Sequence, residues 1–106
     1  MLFSRETAQL TVPNLPKYTY FAKTMSLSNN ALLVGGDTTK AAYIFLKPEA
    51  GWQTTSTPNI TLLSNDPNQQ SFGSAVAMLG NILVIGDTGE GANGNQNGAA
   101  YIYELQ

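Results

Sequence analysis

The sequence predicts an all-β protein made of two similar four-stranded antiparallel units, and three observations predict it. The chain repeats itself: the stretch that opens at Phe21 returns in altered form at Phe72. Each copy divides into short runs rich in β-forming residues, punctuated by Asn and Gly. Hydrophobic residues make up 42% of the 106 and charged residues only 11%, so the chain can fold or bury itself in an assembly.

The elements follow in order. Leu10-Thr11-Val12 is a short strand of a type that returns 50 positions later as Ile60-Thr61-Leu62. From Phe21, the residues Lys23, Met25 and Leu27 alternate with small Ala22, Thr24 and Ser26, the period of a strand. A uniformly small face suits the close approach of a neighbouring backbone. Asn29-Asn30 then marks a tight two-residue turn, since Asn tolerates positive φ. "ALLV" is apolar without alternation, as expected of a strand buried on both faces. "AAYIF" at 41–45 is a third strand, and "GWQTTSTPNITLL" leads to a fourth.

The second unit replays this scheme. Phe72 lies 51 positions after Phe21, and at that offset Met25 meets Val76, Leu27 meets Met78, Asn30 meets Asn81 and Gly35 meets Gly86. Ala99–Tyr103 matches Ala41–Phe45 at an offset of 58, so seven extra residues fall in "GEGANGNQNG". An insertion confined to a Gly- and Asn-rich stretch is what a surface loop tolerates. Strands fall in the order D, A, B, C, D, A, B, C. Four-stranded antiparallel units of about 50 residues are the mark of β-propeller blades. The expected organisation is a single propeller segment over 1–106. In it, 1–13 form an outer strand completing a neighbouring blade, 18–63 form the first blade, and 71–106 form a second blade without its own outer strand.

Two blades cannot curve into a ring, since propellers take about four to eight, and unpaired strand edges invite pairing with another chain. The expectation is a cyclic homo-oligomer, a trimer in preference to a tetramer. The first strand of each chain would complete the second blade of its neighbour. Leu10, Val12, Tyr101 and Tyr103 are the expected assembly contacts.

Several functions are set aside by composition. The five basic residues are scattered and the net charge is −2, which leaves no basic face for nucleic acid. No apolar run approaches the ~20 residues of a membrane span, and "MLFSRETAQL" lacks the pattern of a signal peptide. With no Cys and no His, disulfides, Cys/His metal sites and histidine acid–base catalysis are excluded.

The segments Phe72-Gly73, Ile85-Gly86-Asp87 and Gly98-Ala99-Ala100-Tyr101-Ile102-Tyr103 resemble the FG-GAP repeat of the integrin α-subunit propeller and its bacterial relatives. The first unit is a degenerate version: Ala22 replaces the Gly, and Gly35-Gly36-Asp37 stands in the middle. The resemblance covers 21–45 and 72–103. It implies a mostly non-catalytic, extracellular or cell-surface module that binds proteins, sugars or ions. Many members carry a calcium loop of the Asp-x-Asp-x-Asp-Gly kind between strands A and B. Here those junctions are two-residue turns without carboxylates, whereas calcium wants six to eight oxygens. No metal or cofactor is therefore expected.

Other motifs carry less. "GEGANG" at 89–94 fits a dinucleotide fingerprint but precedes a strand instead of the helix that such a site needs. Asp87, Glu90, Asn93, Asn95 and Asn97 supply oxygens within one loop, which is best read as solvated. Asp37 and Asp87 each end a strand B, a place for a structural Asx-turn. No Ser or Thr has an evident activating base, so no catalytic residue is expected and the chain is read as a non-enzyme. Asn59-Ile60-Thr61 is a glycosylation sequon. Trp52 is a candidate ligand contact through stacking on a sugar. The expected function is a binding or scaffold module that self-assembles by strand exchange. A small oligomeric lectin holding glycans between blades is the alternative.

Overall fold

The computed structural model describes residues 7–13, 15, 20–37, 41–64, 71–87 and 98–105. These form two antiparallel sheets and no helix among the described residues. The first sheet contains β1 (Tyr20–Leu27), β2 (Ala31–Asp37), β3 (Ala41–Leu46) and β4 (Ile60–Leu63), paired in chain order. The second contains β5 (Ala75–Leu79), β6 (Ile82–Asp87) and β7 (Ala99–Glu104), again in chain order. The residues 88–97, which hold the insertion and the "GEGANG" motif, lie outside the described part.

The repeat in sequence is a repeat in hydrogen bonding. Leu27 pairs with Leu32 as Leu79 pairs with Ile82, so each first hairpin closes on a tight turn. The Lys47 N–H donates to the Asn30 carbonyl at 2.7 Å, and at the matching positions the Leu105 N–H donates to the Asn81 carbonyl at 2.8 Å. Aromatic packing repeats as well. Phe21 and Tyr43 make a tilted ring pair with centroids 5.8 Å apart, and Phe72 and Tyr101 make its counterpart at 5.5 Å.

Each sheet has a front and a back that correspond between the units. The front of the first carries Met25, Leu27, Leu32, Val34, Tyr43 and Phe45; the front of the second carries Val76, Met78, Leu83, Ile85, Tyr101 and Tyr103. The front of the second sheet lies on the back of the first. Ala31, Leu33, Ala42 and Ile44 form one buried cluster there with Phe72, Leu83 and Ile85, flanked by Ile60, Leu62, Tyr101 and Tyr103. Burying such apolar surface is the main favourable term in folding.

The sheets meet most closely at Gly35 and Gly73. A Cβ on Gly35 would stand 2.2 Å from the Gly73 carbonyl oxygen. Small Thr24 and Ser26 make this approach possible, as the alternation in the sequence implied. The Thr24 hydroxyl donates to the Gly73 carbonyl at 3.2 Å, and the Met78 N–H donates to the Ser26 hydroxyl at 3.0 Å.

Burial on both faces, expected of both B strands, holds for one of them. In β2, Ala31, Leu33 and Val34 are buried from both sides. In β6, Leu83 and Ile85 are buried while Ile82 and Val84 are only half-buried. The reason is that the back of the second sheet has nothing packed on it among the described residues.

Ala22 occupies the position of Gly73 and shares its backbone: φ is +68° at Ala22 and +94° at Gly73. The pairing of β1 with β2 shifts register between Phe21 and Thr24, which sets this local bend. A left-handed alanine costs about 1–2 kcal/mol, partly offset by the greater unfolded-state entropy of glycine. Ala22→Gly is therefore expected to raise stability by about 0.5–1 kcal/mol, read as a higher midpoint in urea unfolding.

Candidate functional site

The front of the first sheet is covered by two segments of the same chain. Leu10, Val12, Leu15 and Trp52 pack against buried Val34, Ala41, Tyr43 and Phe45. Leu10 forms an isolated parallel bridge with Thr55. The Thr11 N–H donates to the Thr55 carbonyl and the Thr55 N–H to the Gln9 carbonyl, both at 3.0 Å. Nothing in the sequence signalled this parallel pairing, because "GWQTTSTPN" carries no strand alternation.

The four assembly candidates are thus not brought together within one chain. Tyr101 and Tyr103 flank the cluster between the sheets, while Leu10 and Val12 sit on the far face of the first sheet. There, however, they lie against Tyr43 and Phe45, the repeat counterparts of Tyr101 and Tyr103. Ile60 and Leu62, the counterparts of Leu10 and Val12, are partly buried against the cluster between the sheets, as are Tyr101 and Tyr103. The second sheet itself has three strands, and β7 has no outer neighbour among the described residues.

Three hollows follow the same geometry. One of about 360 Å³ is lined by Ile60, Leu62, Tyr103 and Leu105, where β4 passes β7. Its counterpart, about 280 Å³, is lined by Leu10, Phe45, Trp52 and Thr55. The half-buried Trp52 lies in its wall, with its ring against the buried cluster. The third, about 520 Å³, opens between the two hairpin turns and is lined by Asn29, Asn30 and Asn81 together with Leu27, Met78 and Leu105.

The polar groups singled out in the sequence have structural surroundings. Asn59 is exposed, yet its side-chain oxygen accepts the Leu46 N–H at 2.8 Å and its own N–H donates to the Ile44 carbonyl, which fixes the entry to β4. Asp87 ends β6, is buried, and sits opposite Ala99. Asp37 ends β2 opposite Tyr20. Among the described residues, no three acidic, His or Cys side chains group as metal ligands. Glu90, Asn93, Asn95 and Asn97 lie outside those residues.

Burial pushes the Tyr43 hydroxyl above the ordinary tyrosine pKa, because the phenolate would be poorly solvated there. A raised folded-state pKa gives a stabilising contribution that is complete below about pH 10 and is lost as pH rises beyond it. Urea midpoints of the native chain are expected to fall on that alkaline limb, and Tyr43→Phe should flatten the fall.

Comparison with known proteins bears on the second unit. The model of the FG-GAP repeat matches residues 61–103. The matched residues begin in β4 and run to β7, so they include the buried Phe72 and the close contact at Gly73. No curated protein and no solved structure matches the chain. From within β4 into β7 the chain is similar to the FG-GAP repeat.

Proposed function

We propose that this chain is a two-bladed β-propeller segment that acts as a non-enzymatic binding or scaffold module and closes its ring by strand exchange between copies. The observation that carries this reading is that Leu10 and Val12 pack against the cluster that holds Tyr43 and Phe45, while their counterparts Ile60 and Leu62 pack, with Tyr101 and Tyr103, against the cluster between the sheets. Among the described residues the first sheet has four strands and the second has three. Pairing residues 10–12 of one copy with the open edge of β7 in another would satisfy both and protect that edge. A trimer gives six blades. The FG-GAP repeat supports an extracellular or cell-surface setting, with a protein or carbohydrate as ligand.

The molar mass in solution tests this reading. The intact chain is expected to sediment as a trimer, and deletion of residues 1–12 to abolish the oligomer. A well-folded monomer, or a deletion variant that forms the same assembly, refutes strand exchange. The cleft at Asn29, Asn30 and Asn81 favours a second reading, a lectin that binds glycans between blades. A lining of uncharged amides and apolar side chains suits a neutral hydroxyl-rich ligand. Reproducible sugar binding on a glycan array, lost on Asn81→Ala, would favour it.

A further inference from the structure

We propose that the pocket beside Trp52 binds a proline-rich peptide in the polyproline II conformation, with the indole N–H donating to one of its carbonyl groups. The inference rests on reading the chain as a binding module and gives that module a ligand. It does not depend on assembly, and its site is separate from the cleft between the hairpin turns.

The pocket is the hollow of about 280 Å³ next to Leu10. Leu46, Pro48 and the half-buried Trp52 make its apolar part. Gln53, Thr54, Thr55, Thr57 and Asn59 make its polar part, and no lining residue is charged. Sites for whole drug-sized ligands run to roughly 300–1,000 Å³, so this one suits a residue or two of a chain that runs past it.

The hydrogen bonds give the pocket a polarity, because they use up its acceptors. The Asn59 Oδ1 accepts the Leu46 N–H at 2.8 Å, which leaves the two amide N–H groups of that side chain to donate. The Thr54 hydroxyl oxygen accepts the Gln9 N–H and the Thr55 hydroxyl oxygen accepts the Thr57 N–H, both at 3.1 Å. Each hydroxyl keeps its proton for a further acceptor. Backbone carbonyls are engaged as well: that of Pro48 accepts the Gly51 N–H, and that of Thr55 accepts the Thr11 N–H. The Trp52 indole N–H has no acceptor among the described residues and stays open to solvent.

The matching ligand carries carbonyls and few donors. Polyproline is such a ligand, since proline has no backbone N–H and its carbonyls make no internal hydrogen bonds in the polyproline II helix. Its rings pack on aromatic walls, and its stiffness lowers the entropy lost on binding. An ordinary extended peptide brings an N–H with every carbonyl. A sugar brings a proton on every hydroxyl oxygen, and the wall offers no carboxylate to receive them. The segment that holds Trp52 is tied down at Thr55 by the backbone bonds to Gln9 and Thr11, so little ordering remains to oppose binding.

Trp52 is the single tryptophan, so its fluorescence reports this pocket alone. The intact chain is titrated with an end-blocked oligoproline peptide, with an end-blocked Gly–Ser peptide of equal length, and with N-acetylglucosamine. Oligoproline alone is expected to shift the emission saturably and to move the indole N–H resonance downfield. Asn59→Asp keeps an oxygen for the Leu46 N–H but replaces the free donor with a charged acceptor. It is expected to retain its melting temperature and to weaken oligoproline binding about fivefold or more, the worth of an ordinary hydrogen bond. Should it unfold, Thr57→Val removes another exposed donor of the wall and takes its place. A titration with oligoproline that never saturates overturns the inference, as does an equal response to the Gly–Ser peptide or unchanged binding in the folded variant. Saturable sugar binding that Asn59→Asp strengthens overturns it too, and gives the pocket to a carbohydrate. Molar mass is followed in the same samples. Oligoproline binding by a monomer leaves the inference standing and refutes the ring, whereas a trimer that ignores oligoproline refutes the peptide site alone.

Discussion

Gly35→Ala is expected to destabilise the chain by about 3 kcal/mol or more, at the upper end of what overpacking costs. The new methyl would stand 2.2 Å from the Gly73 carbonyl oxygen, 2.8 Å from the Thr24 hydroxyl and 3.0 Å from a methyl of Val76. The nearest of these is backbone, which cannot rotate away, so the sheets must separate. Separation would also strain the bond from Thr24 to the Gly73 carbonyl. Gly73→Ala is expected to behave alike, because its Cβ would meet the Ala41 carbonyl at 2.6 Å on a left-handed backbone. Gly51→Ala is the control. Its φ is +104° but nothing lies within 4 Å, so only conformational strain of about 1–2 kcal/mol applies. Urea unfolding of the three variants checks the order, and a Gly35→Ala midpoint no lower than that of Gly51→Ala would contradict close contact between the sheets.

Phe72→Ala is expected to cost about 3–5 kcal/mol, the range for truncating a buried aromatic. Phe72 is fully buried in the cluster that joins the two sheets, and its ring packs against Tyr101 at 5.5 Å. Small domains are stable by about 5–15 kcal/mol, so this one change removes a large share. Phe21 holds the matching place against Tyr43 at 5.8 Å but is only half-buried. Phe21→Ala should therefore cost clearly less in the isolated chain. Equal losses would mean that the front of the first sheet is as well covered as the contact between the sheets.

The strands were legible in the sequence because alternation and β-forming runs report local geometry directly. "AAYIF" and "AAYIY" became β3 and β7, and Asn29-Asn30 and Gly80-Asn81 became the hairpin turns. The family resemblance was legible for the same reason, since Phe72-Gly73 and Ala99–Tyr103 carry it in short local stretches. The pairing of Leu10 with Thr55 was not legible. It joins residues 45 positions apart, and neither segment has a periodic pattern that names its partner.

By itself, then, the sequence determined an all-β chain of two equivalent units, with strand order and turns set by side-chain period and by residues that tolerate positive φ. Which face of each sheet is covered was decided only by the tertiary structure. "ALLV" and "ILVI" read alike, yet β2 is enclosed on both sides and β6 on one. The difference lies in what is stacked on each sheet. Apolar burial is non-directional, so composition records that a face wants cover without recording what covers it. The closeness of Gly35 to Gly73 and the left-handed turn at Ala22 belong to the same class. They are fixed by one sheet settling on another and by a register shift between neighbouring strands, relations that exist only once distant parts of the chain have met.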